Sequence, residues 1–152
     1  MENERTIISD LKGLLNILND GKEGYETASE HTDTIELKAV FLKYSAQRAG
    51  YAMDLKAHIA QHGGESDNDS GGILGVLHRT WIGIKQALSS KEDLAILSAI
   101  ATGEQEALDK YDQLLFDPVT HADHLEMLRA QRAGIAGALR EIQELHQQFE
   151  LR

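Results

Sequence analysis

Long stretches of this chain repeat apolar residues at alternating steps of three and four, and a single proline, Pro118, interrupts its 152 residues. That spacing winds apolar side chains into one stripe along an α-helix, where a strand would need a period of two. Three of the stripes each contain one charged residue. Glu104 falls within Leu94, Leu97, Ala101, Leu108, Tyr111 and Leu115. Arg48 falls within Phe41, Tyr44, Tyr51 and Leu55, and Arg132 within Leu125, Leu128, Ile135, Leu139 and Ile142. An unpaired charge in a helix interior is very costly. The three are therefore expected to meet as one buried Arg48–Glu104–Arg132 layer.

The punctuation between stripes predicts four long helices. The first runs from Thr6 to about Glu30, and Asp33 with Glu36 reads as a capping pair that opens the second. The second continues to about His62, where Gly63-Gly64 stops it. The polar, glycine-rich stretch 65–72 is a loop, followed by a shorter helix carrying Leu74, Leu77, Trp81, Ile84 and Leu88. Ser89 and Glu92 have capping-box spacing and open the third long helix. Asp117-Pro118 suits the cap and first position of the fourth, which reaches about Phe149.

Short connections make the first and last pairs antiparallel hairpins. The middle connection carries its own helix, which at ~1.5 Å per residue can run back along the bundle and leave the second and third helices parallel. The expectation is an all-α, ferritin-like four-helix bundle with a short extra helix in the crossover, forming a single domain over residues 1–152. Counting residues from the turns places Arg48, Glu104 and Arg132 at one level. Gly21 leaves space in the first stripe at that level, among Tyr25, Tyr44 and Tyr51.

Carboxylate-metal bundles place glutamates and Glu-x-x-His pairs in such a layer. The second and fourth helices offer arginines there instead, and two guanidinium groups beside one carboxylate repel a dication. A register-fixing ion network is the expectation, with no catalytic residue and no cofactor; iron, manganese or zinc is the alternative. His58 and His62, four apart near the end of the second helix, and His121 and His124, near the start of the fourth, are the metal candidates, with Asp54 and Asp123 as possible carboxylates. His31 and His146 fall near the other end.

The remaining chemistry is sparse. No nucleophile elbow or phosphate loop occurs. With no cysteine, disulfides and thiolate chemistry are excluded. Fifteen Lys plus Arg against 25 Asp plus Glu give a net charge of −10, which argues against nucleic acid or an anionic membrane as partner. The opening residues lack an apolar signal core, and no apolar run approaches membrane-spanning length, so a cytoplasmic location is expected.

Four segments carry a resemblance. They are Asp20-Gly21-Lys22-Glu23-Gly24-Tyr25, Gln47-Arg48-Ala49-Gly50-Tyr51, Leu77-His78-Arg79-Thr80-Trp81 and Gly103-Glu104-Gln105, together with the bundle pattern over most of the chain. The sequence resembles the bacterial four-helix-bundle family DUF2383, also known as the PA2169 family and grouped with the ferritin-like superfamily. The resemblance implies a ferritin-like bundle and no assigned reaction, substrate or cofactor. Relatives often have a histidine in the middle of the last helix, where this chain reads Gly137-Ala138-Leu139. His78, Arg79 and Trp81 are expected to clamp the crossover helix to the bundle. Three functions follow as expectations: a structural or stress-associated bundle acting through self-association as a dimer or through a protein partner, a metal or redox protein, and a small-ligand module at the Gly21 gap.

Overall fold

The computed structural model describes residues 2–64, 86–89, 92–117 and 121–152. Four long helices pack together: α1 (Glu2–His31), α2 (Ile35–Gln61), α3 (Asp93–Leu115) and α4 (Leu125–Glu150), the last preceded by a 3₁₀ turn over Ala122–His124. No strand occurs among the described residues. No helix among them is long and apolar enough to cross a membrane. Of the crossover, a helical stretch at 86–88 is described.

Direction is fixed at the α1–α2 turn. The hydroxyls of Thr32 and Thr34 donate to the two carboxylate oxygens of Asp93, at 2.6 and 2.5 Å. Asp93 is the first residue of α3, so α3 starts at the end of the bundle where α2 starts. The two helices therefore run parallel, and the chain has the one-crossover topology. These hydroxyls also explain why capping departs from expectation. α2 opens at Ile35 behind Thr34, whose side chain makes no cap bond; its hydroxyl is spent on Asp93. Glu92, not Ser89, precedes α3, and Ser89 instead donates to the Gln86 carbonyl. α4 begins at Leu125 rather than beside Pro118, which lies outside the described residues.

The other end of α2 closes as the sequence predicts. Gly63 takes a left-handed φ of 83°, the Gly63 N–H donates to Ala60 O, and the Gly64 N–H donates to Ile59 O. This is the paired bonding that satisfies the last carbonyls of a helix. A Cβ on Gly64 would stand 2.9 Å from an Ile59 methyl, so glycine also permits the turn to lie against α2.

Among the described residues the interior gathers into two apolar clusters. One gathers Leu11, Leu14, Leu18, Leu55, Ile59, Tyr111, Leu128 and Ile135. The other gathers Tyr25, Leu37, Phe41, Leu88, Ile96, Ile100, Ile142 and Leu145. Between them lies a polar layer.

Candidate functional site

Arg48 projects from the buried stripe of α2 and is 1% exposed; Glu104, from α3, is 3% exposed. They form a two-pronged ion pair, Nη1 to Oε1 and Nη2 to Oε2, both at 2.5 Å. The Tyr25 hydroxyl of α1 donates to the same Oε2 at 2.7 Å. Arg48 Nε donates to Gln47 Oε1 at 3.1 Å. Planar guanidinium and carboxylate suit this bidentate geometry, which also supplies the hydrogen bonds a buried pair needs. Burial alone would push the Arg48 pKa down, but the Glu104 carboxylate outweighs it and holds the guanidinium charged. Burial, reinforced by Glu104, raises the Tyr25 hydroxyl well above its ordinary range and keeps it a donor.

The space at Gly21 is filled by this network. A Cβ there would lie 3.2 Å from Arg48 Nη1. The gap left in the α1 stripe houses the guanidinium.

Arg132 does not join the layer. Its side chain is 38% exposed and pairs with Asp112 on the flank between α3 and α4, Nε to Oδ1 at 2.5 Å. The buried position belongs to its neighbour Gln131, which accepts from the Tyr111 hydroxyl at 2.7 Å and reaches the Tyr51 carbonyl at 3.4 Å. The expected Arg–Glu–Arg triad is corrected to Arg48–Glu104–Tyr25. A second guanidinium would leave one buried positive charge uncompensated. Rotating α4 by one residue puts a neutral amide inside and the charge outside.

The layer does not fit a dication. Guanidinium nitrogens occupy both oxygens of Glu104, and Oε2 also accepts from Tyr25. An ion would have to displace an arginine that is almost wholly buried.

At the opposite level, four histidines gather where α2 ends and α4 begins. The ring of His124 lies 5.7 Å from that of His58, 5.8 Å from His62 and 5.0 Å from His121, centre to centre. His121 and His124 are both buried. Two carboxylates of α1, unforeseen in the sequence, complete the group: Asp10 faces His121 Nε2 and Glu4 faces His62 Nδ1, each at 2.9 Å. Burial, then the neighbouring His121, His58 and His62, lower the His124 pKa to about 4. As the side chains stand, no group of three His, Asp or Glu among the described residues is arranged to hold a metal ion.

Other candidates stand apart. His31 Nδ1 meets the Thr27 carbonyl at 2.8 Å, and His146 faces Glu150. Asp54 is exposed, and Asp123 lies in the 3₁₀ turn beside His124. His78, Arg79 and Trp81 lie outside the described residues.

Two helical hairpins joined by one long crossover define an all-α bundle protein. The chain belongs to the family DUF2383, a domain of unknown function, whose model matches residues 6–117. The match carries Tyr25, Arg48, Glu104, His58 and His62 and ends before His121, His124 and α4. No curated protein and no solved structure among those compared matches the chain.

Proposed function

We propose that this is a non-catalytic bundle whose interior network fixes helix register and whose outer face pairs with a second copy of the chain. The carrying observation is the outward side of α2. Ile35, Leu42 and Met53 are 82%, 55% and 70% exposed, and the exposed Ala39, Ala46, Gly50, Ala57 and Ala60 lie between and beyond them. These positions keep alternating steps of three and four, a second apolar stripe on the side of α2 opposite its core stripe.

Charge favours a like copy as the occupant. The exterior of α2 carries Lys38, Lys43 and Lys56 against Glu36 and Asp54, a local balance of +1 in a chain of net charge −10. Copies of an acidic protein repel least across such a face. A stripe ~10 Å wide along the ~40 Å of α2 covers about 400 Å², the size of the largest apolar patch on a typical monomer, which is often a functional one. With the flanking lysine stems it reaches the low end of specific interfaces. The dimer is therefore weak and concentration-dependent.

Sedimentation over a dilution series tests this. Wild-type protein should shift from monomer to dimer as concentration rises, and Leu42→Glu with Met53→Lys should hold it monomeric with helicity unchanged. A wild-type chain that stays monomeric throughout, or a double variant that dimerises equally well, would overturn the reading.

A further inference from the structure

The four-histidine end of the bundle contains a buried nitrogen with no partner. His124 is 2% exposed, and its Nδ1 has no hydrogen-bond partner among the described residues. Buried polar atoms are almost always bonded, so an orphan requires an explanation.

Proton bookkeeping around the cluster shows what the orphan is. A carboxylate only accepts, so the His121 Nε2 that faces Asp10 carries the proton. In the neutral ring, Nδ1 of His121 is then an acceptor. It lies 2.8 Å from His124 Nε2, so that nitrogen carries the proton of His124. The bare lone pair of His124 is left on Nδ1, inside the protein. His62 follows the same logic: Nδ1 donates to Glu4 and the lone pair sits on Nε2. His58 donates from Nδ1 to Gln61 Oε1 at 3.3 Å, again leaving Nε2 bare. Three imidazole lone pairs thus remain unspent, on His124 and on two rings whose centres lie 5.7 and 5.8 Å from it.

We propose that His58, His62 and His124 bind one late first-row divalent ion of the Zn²⁺ or Ni²⁺ class. His121–Asp10 and Glu4 form the surrounding shell. Neutral imidazoles suit these ions, and a ligating histidine characteristically gives its other N–H to a carboxylate or another fixed acceptor. The spacing also agrees. With nitrogens about 2.0–2.1 Å from a tetrahedral ion, ring centres fall roughly 5–5.5 Å apart, against the 5.7 and 5.8 Å found for the two α2 rings. Closing the site requires His58 and His62, both only partly buried at the end of α2, to turn inward. His124 stays fixed, buried and bonded to His121. The fourth position is left to water. Such an ion ties the end of α2 to the start of α4, which share no covalent turn. The site uses none of the α2 outer-face residues and does not depend on dimer formation.

Titration of the full chain with Zn²⁺, and separately with Co²⁺, tests the assignment. One ion per chain is expected, with a raised melting temperature and the intense visible bands of four-coordinate Co²⁺. His58→Gln, on the surface side, should fold normally and lose those bands. Glu4→Gln should weaken binding by about 10–100-fold as an outer-shell change. His31→Gln and His146→Gln should bind as wild type. No saturable binding by the wild-type chain, or binding and bands unchanged in both His58→Gln and His124→Gln, would overturn the proposal.

Discussion

A methyl group on Gly21 would stand 3.2 Å from Arg48 Nη1, whereas one on Gly13 or Gly137 would meet nothing within 4 Å among the described residues. Ala in an open helical position gains roughly 0.5–1 kcal/mol over Gly. Gly13→Ala and Gly137→Ala should therefore stabilise, while Gly21→Ala should cost about 1–2 kcal/mol by pushing a fixed guanidinium. Urea midpoints decide this, and a Gly21→Ala chain as stable as Gly13→Ala would show that the guanidinium yields freely. Glu104→Gln is harsher, because it leaves Arg48 charged and buried; about 3–5 kcal/mol should be lost. Arg48 and Glu104 are legible in the sequence because each interrupts a stripe on both sides of which apolar residues continue. Tyr25 as their third partner is not, since a core tyrosine announces its position but not where its hydroxyl points.

At the scale of the helix, α4 shows where periodicity fails to decide. From Leu128 a step of four reaches Arg132 and a step of three reaches Gln131, and both phases meet Ile135 and Ile142. Packing selects the neutral residue. Gln131→Ala, which strands the Tyr111 hydroxyl, should cost about 1–3 kcal/mol. Arg132→Ala should cost less than about 1, since its pair with Asp112 is partly exposed. The reverse ranking by thermal melts would restore the charged phase. The histidine end was legible as two spaced pairs, but Asp10 and Glu4 were not, because they lie in α1, far away in the chain. Its pH behaviour follows from His124, whose pKa is lowered from 6.5 to about 4. Between those values the unfolded chain binds the proton and the folded one resists it. The contribution is complete above the upper value and is lost as pH falls toward the lower. With the hydration of a bundle end allowed for, this is about 1–2 kcal/mol. His124→Leu should therefore lose less stability than wild type between pH ~7 and pH ~4.5. Equal losses in urea midpoint would place the acid sensitivity elsewhere.

Taken as a whole, the molecule separates two properties that a core usually supplies together. The topology could be counted out from turns and crossover length, and Asp93 gripping Thr32 and Thr34 gives it a physical anchor. The inner stripe of α2, through Phe41, Arg48 and Leu55, was legible too; the apolar outer side was not, because only the assembled bundle shows which surface stays uncovered. The proposed register role falls to the network that divides the two apolar clusters. Leucine-like side chains slide past one another at little cost, whereas Arg48 and Glu104 satisfy each other at one alignment. Replacing a buried ion pair by well-packed apolar residues is often neutral, or stabilising by about 1–4 kcal/mol. Arg48→Met with Glu104→Leu should therefore equal or exceed wild-type stability in urea, although each single change destabilises. If the pair specifies register, the double variant should also give broadened or duplicated amide resonances, as helices sample neighbouring alignments. A double variant that is stable and shows one sharp set of resonances would leave the ion pair no part in register. Helix α2 would then be held by the shapes of Phe41, Leu55 and Ile59 alone.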